Sequence, residues 1–175
     1  MDPNLNYPFN RRCFFTPQET LSIPLSGIVL WRGIFQSVRP AIGRMIANID
    51  LSTGMMFKEG PLINLCLDFL GRDPARPDPR YLASVNGLND HDRLRLSKFL
   101  LNAQVTIRQR SGERRYSIKG LTREGADSIT FKNDTTGVTQ TIQQYFHSLN
   151  IQLRYPTLIC VQVRSSSIIT LTNLY

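Results

Sequence analysis

Arg108, Arg110, Arg114, Arg115 and Tyr116 fall within one short stretch, residues 108–116, and bring guanidinium and phenol groups close together. Side chains alternate faces along a strand, so Arg114 and Tyr116 share one side and Arg115 takes the other. A guanidinium beside a phenol suits a phosphate, which accepts charge-assisted hydrogen bonds from both. The same residues also suit a solvated hairpin edge protected by its charges, and both readings stand. Tyr145 and Phe146 form an adjacent pair on a predicted short helix, where one ring packs inward and the other sits half out. Phe146 is expected in the core, leaving the Tyr145 hydroxyl free for a phosphate. Tyr155, at a predicted strand end, is another phenol for the same anion. Phe131 is either a core plug or a platform for a terminal base. Such stacking is worth about 1–3 kcal/mol per base and tolerates any base.

Catalytic patterns do not emerge. Ser37, Ser165, Ser166 and Ser167 lack a Ser–His–Asp setting, and neither His91 nor His147 sits beside an acid and a nucleophile. Asp73, Asp78 and Asp90 make no metal motif. Neither GxxxxGK[ST] nor GxGxxG is present, so a nucleotide-cradling loop has no support. Cys13, Cys66 and Cys160 are too scattered for a disulfide framework or a zinc site and read as reduced thiols. The expectation is a non-enzyme with no metal and no cofactor.

The elements that must position these residues read as mainly β with some α. Residues 1–27 look like an extended arm that needs something to lie against. Residues 27–39 and 45–52 are rich in β-branched and aromatic residues and predict strands, with Thr53-Gly54 as a turn. Leu62, Leu65 and Phe69 recur at helical spacing over 61–70, with Pro61 as a first helical residue and Gly71 as the stop. Residues 71–88 read as a polar surface link. Asn89 caps a second predicted helix that runs to about 101. Period-two alternation then marks 103–108 and its return over 114–118, joined by a turn at Ser111-Gly112. A polar loop is expected over 119–129, and a short strand over 129–131 follows. The chain turns over 133–137, and 138–142 predicts another strand. A short helix near 143–148 leads to strands near 151–154 and 158–163. Many short strands with small helices describe a small, partly open barrel with helices over one side.

The formal net charge is +8 and the isoelectric point about 9.9. A basic surface attracts phosphate backbones or anionic lipid. Arginine dominates the positive residues, and its planar fork favours nucleic acid. The N-terminus has an early acid and no leading apolar run, so it does not read as a secretory signal. No apolar run reaches membrane-spanning length. A soluble, cytoplasmic protein is expected, with no membrane partner.

The stretch Trp31-Arg32-Gly33-Ile34-Phe35-Gln36-Ser37-Val38-Arg39-Pro40-Ala41, followed by Asn48-Ile49-Asp50, resembles the first linker of Argonaute proteins of fungal type. Residues 1–27 are similar to the tail of an Argonaute amino-terminal domain, and 28–60 to the linker. Residues 61–175 resemble a PAZ domain, best marked by Arg114-Arg115-Tyr116, Leu121-Thr122-Arg123, Phe131, Gln144-Tyr145-Phe146 and Leu153-Arg154-Tyr155-Pro156. The resemblance implies a PAZ-type, OB-like open barrel with an inserted hairpin–helix element, preceded by a β-rich linker. It implies capture of the two-nucleotide 3′ end of a small single-stranded guide RNA, an siRNA or miRNA, with other Argonaute domains or silencing proteins as further partners. Arg114, Tyr116 and Tyr145 match the family's phosphate-binding positions, and Phe131 matches the aromatic against which the terminal nucleotide packs. Arg108 stands where the family usually has histidine, and Leu149 where a second tyrosine is usual. A leucine offers a phosphate no hydrogen bond. Residues 166–175 depart from the family's closing segment. The chain also lacks counterparts of the MID and PIWI domains, so a non-catalytic fragment is expected. An alternative is a structural or protein-interaction remnant with a disrupted pocket. Apolar surface is expected around Trp31, Ile34 and Phe35.

Overall fold

The computed structural model describes residues 7–73, 76–109, 112–133, 137–163 and 168–170, excluding the side chains of 108, 109 and 168–170. The predicted features at Pro74, Arg110, Ser111, 134–136, 165–167 and 171–175 therefore lie outside the described residues. The chain divides after Lys58 into two units.

Unit 1 is an antiparallel sheet ordered β1-β2-β3-β4, from β1 (Tyr7–Pro8), β2 (Cys13–Ile23), β3 (Ile28–Ala41) and β4 (Arg44–Phe57). The β3–β4 register runs unbroken from Ile28↔Phe57 to Ala41↔Arg44. Pro40, which has no N–H to donate, sits where β3 has already lost β2 as a neighbour, since that pairing ends at Cys13↔Phe35. The expected turn at Thr53-Gly54 is absent, and β4 passes straight through it to Phe57. Both Gly33 and Gly54 lie against the ring of Phe15. A Cβ on Gly54 would come within 2.8 Å of Phe15 Cε1, and one on Gly33 would overlap the Phe14 carbonyl oxygen. These glycines make room for a buried ring and do not turn the chain. Tyr7 and Phe9 pack edge-on against Trp31 and Phe15 on that face. By register the opposite face carries Leu21, Ile49, Leu51 and Met55, all exposed. The open apolar surface is thus centred there, whereas Trp31, Ile34 and Phe35 are half-buried.

Unit 2 begins with α1 (Leu62–Phe69). Pro61 is its cap, with extended ψ of 131°, one place earlier than expected. Gly71 follows with φ of +70°, the left-handed conformation that ends helices. The predicted surface link contains a 3₁₀ turn, Pro79–Leu82, whose Leu82 is fully buried. Asp78 Oδ1 accepts from the Arg80 N–H at 3.0 Å to start that turn. The Arg80 guanidinium holds the Asp78 carboxyl below its ordinary range. In α2 (Asp90–Leu100), Asn89 caps as expected, its side chain accepting from the Asp92 N–H at 2.7 Å.

Next come the hairpin β5 (Gln104–Gln109) with β6 (Gly112–Ser117), then β7 (Gly120–Gly125), β8 (Thr130–Lys132), β9 (Thr139–Thr141), α3 (Ile142–Ser148), β10 (Ile159–Gln162) and β11 (Ile168–Thr170). Unit 2 is mainly β with helices. Among the described residues its strands pair as a three-stranded sheet, β11-β10-β7, and two hairpins, an open arrangement. The polar loop expected over 119–129 contains β7 instead. Its pairing comes from a distant partner: Leu121 faces Val161 and Gly125 faces Ile159, while Thr122 Oγ1 accepts from the Cys160 N–H at 2.8 Å. Residues 151–154, expected as a strand, are irregular; the Ile151 N–H donates back to the Phe146 carbonyl at 3.0 Å. One core cluster joins Leu62, Leu96, Val105, Ile118, Leu121 and Val161, and a second joins Ala126, Ile142, Leu153 and Cys160.

Candidate nucleic-acid interface

Strand alternation on the β5–β6 hairpin settles which residues can act together. Val105 pairs with Tyr116 and Ile107 with Arg114, so Tyr116 and Arg114 lie on the face whose other members enter the core. Tyr116 is half-buried with its ring on the first core cluster, and Arg114 is exposed. Position 108 pairs with Glu113 and, with Thr106 and Arg115, belongs to the other face. The side chain of Arg108 lies outside the described residues.

The second group is built from β8, β9 and α3. Phe131 pairs with Gln140, is half-buried, and packs on the second core cluster. Its partners are therefore apolar beneath and solvent above. α3 opens with a capping box. The Thr141 hydroxyl accepts from the Gln144 N–H at 3.1 Å, and Gln144 Oε1 accepts from the Thr141 N–H at 2.9 Å. That cap fixes the first turn and hence Tyr145 one residue on. The Tyr145 ring meets Phe131 edge-on, with centroids 5.5 Å apart and planes at 81°. Phe146 stands 5.8 Å from Tyr145 at 73° and packs on the second cluster, but it is half-buried like Tyr145 and not sealed in the core as expected. Edge-to-face contact of this kind adds about 0.5–1.5 kcal/mol beyond burial and restricts both rings.

The structure thus brings Phe131 and Tyr145 into one aromatic corner, and places Tyr116 with Tyr155 on the first cluster. Arg154 lies over the Tyr155 ring at 5.2 Å, a cation–π contact between chain neighbours that residue type and spacing alone do not reveal. Leu149, the C-cap of α3, is exposed. Cys66 and Cys160 are buried, and burial pushes each thiol up to about 12, so neither is a nucleophile at neutral pH. Among the described residues no cluster of His, Cys, Asp and Glu could hold a metal ion, and no helix is long and apolar enough to cross a membrane. Exposed guanidiniums, half-buried phenols and a half-open phenyl ring can bind an anionic, aromatic ligand; they supply no general base or nucleophile.

Comparison with known proteins agrees with this inventory. Residues 10–58 match the Argonaute linker 1 domain, and residues 80–171 match the PAZ domain. Protein argonaute 1A of Oryza sativa subsp. japonica is 32% identical over 164 residues, covering 92% of this chain and 14% of that protein. Protein argonaute MEL1 of the same species is 33% identical over 169 residues, covering 94% and 15%. The chain spans about one seventh of the length of these curated relatives. A crystal structure of a Drosophila Ago-PAZ domain in complex with 3′-end 2′-O-methylated RNA aligns with a TM-score of 0.51 at 28% identity, covering 66% of this chain and 95% of that one. Argonaute of Kluyveromyces polysporus, solved with a guide RNA, shares the fold with a TM-score of 0.54 at 18% identity, covering 97% and 21%. With a linker 1 match followed by a PAZ match over more than half its length, the chain belongs to the Argonaute family and carries a PAZ domain.

Proposed function

We propose that unit 2 captures the 3′ end of a small single-stranded RNA and does no chemistry on it. Arg114, Tyr116 and Tyr145 hold the last phosphates, Phe131 packs against the terminal nucleotide, and Arg108, from the other face of the hairpin, adds positive charge at longer range. The half-open Phe131–Tyr145 corner carries the reading, because it offers an aromatic face and a phenol together on a domain of this kind. The 28%-identical Drosophila PAZ domain, solved with RNA 3′-end, supports it. Without base-edge readout the site accepts any terminal base. We take residues 61–175 as the PAZ domain, since Leu62, Leu65 and Cys66 of α1 pack in one cluster with Leu121 and Val161. Residues 28–60 are then the linker and 1–27 the preceding arm. Three free cysteines fit a cytoplasmic working place.

The test is a titration of the purified chain with an RNA duplex carrying a two-nucleotide 3′ overhang against its blunt counterpart. Preference for the overhang supports the reading; equal affinity removes it. Tyr116→Phe with Tyr145→Phe weakens overhang binding by roughly a hundredfold or more, since hydrogen bonds to charged groups contribute about 1.5–3 kcal/mol each. Leu149, exposed where a hydrogen-bonding phenol would serve, favours a second reading in which this chain is a protein-interaction remnant. Unchanged RNA binding by the double phenylalanine variant supports that second reading.

A further inference from the structure

Unit 1 holds an open cavity of about 320 Å³ beside the point where β2 gives out along β3. Its lining includes Arg11, Arg12, Gln36, Ser37 and Asn48. A tight turn carries the two arginines: Asn10 Oδ1 accepts from the backbone N–H groups of Arg12 and Cys13, each at 2.8 Å. The Gln36 N–H donates to the Arg12 carbonyl at 2.8 Å and ties that turn to β3. Neither Arg11 nor Arg12 is in an ion pair among the described residues. Ser37 Oγ is buried and has no hydrogen-bond partner among the described residues. Asn48 stands opposite Ser37 in the β3–β4 register, and its Nδ2 donates to Asp50 Oδ2 at 2.7 Å. Asp50 is a nearby negative charge, but it does not line the cavity and is engaged by Asn48.

We propose that this cavity binds a phosphate group of a polynucleotide backbone, with Arg11 and Arg12 supplying the charge and Ser37 a hydroxyl donor. Two guanidiniums are donors only, and a buried hydroxyl gains most from an acceptor brought into the cavity. The ligand is therefore an oxyanion, and an open site of this size admits a phosphate with the sugar attached to it. The contact is sequence-independent and needs no strand end, so it goes beyond the 3′-end reading of unit 2.

A fluorescently labelled circular single-stranded RNA, titrated into the full chain, tests it, because a circle has no 3′ end to capture. Arg11→Ala with Arg12→Ala is expected to weaken binding of the circle by about tenfold and to shallow the salt slope by about 0.7 per arginine. Arg44→Ala, an exposed arginine of the same unit that does not line the cavity, changes affinity by less than about twofold, the size of a general charge effect. Ser37→Ala weakens binding while leaving Tm unchanged or higher, because it deletes a hydroxyl that is unpaired in the free protein. Equal affinity and equal slope for wild type and the double arginine variant would overturn the proposal. Inorganic phosphate, followed through the Ser37 and Asn48 amide signals at fixed ionic strength, separates the source. Shifts that need far more phosphate than oligonucleotide support a polynucleotide; the reverse order overturns that assignment. Failure of the end-capture reading shows separately, as equal binding of circular RNA and a linear RNA of the same sequence.

Discussion

An aromatic ring binds a base well only if it is held still with one side left open, and Phe131 meets both conditions. The second core cluster supports it from below, Tyr145 braces its edge, and it remains half-buried. Phe131→Ala is expected to lower affinity for a 3′-overhang RNA by about 1–3 kcal/mol whatever the terminal base, checked by titrating overhangs ending in each of the four bases. Cysteine chemistry gives a second test at this scale. Cys66 and Cys160 are buried with thiols pushed up to about 12, while Cys13 is only half-buried. The native protein should react quickly with a thiol reagent at Cys13 alone, and at Cys66 and Cys160 only after denaturation. Prompt labelling of Cys66 in native buffer would show that α1 is not packed as described.

Helix α3 and strand β3 depend on local devices that can be removed singly. The capping box ties Thr141 to Gln144 and sets the start of the helix that bears Tyr145. Thr141→Ala should cost about 1 kcal/mol of stability, seen as a lowered urea midpoint, and should weaken RNA binding without touching any contact residue. In unit 1, Gly33 has no spare room, because a Cβ there meets both the Phe14 carbonyl oxygen and the Phe15 ring. Gly33→Ala should destabilise the sheet by at least about 1–3 kcal/mol, read from the denaturant midpoint followed through Trp31 fluorescence. Leu51→Lys on the exposed face of β4 should leave that midpoint nearly unchanged, since its side chain already faces solvent.

Charge acts across the whole molecule. A net charge of +8 makes phosphate contact the dominant sequence-independent term, so affinity for single-stranded RNA should fall linearly on a log–log plot against salt. Three or four phosphate contacts correspond to a slope of about −2 to −3. A slope near zero would mean that the arginines do not meet the backbone.

Features that depend on near neighbours are legible in the chain alone. Helical spacing over 62–69 and the Asn89 cap mark their helices, and alternation marks the β5–β6 hairpin and puts Arg114 with Tyr116 on one face. Features that depend on partners far away in the chain emerge only once it is folded. β7 is a strand because β10 pairs with it, although its own residues are polar enough to read as a loop. Gly54 continues a strand because the Phe15 ring needs the space. Phe131 and Tyr145 meet because β8 and α3 share a core, a contact that no local spacing encodes. A chain specifies its torsions residue by residue, but the burial that selects among them is a property of the folded whole.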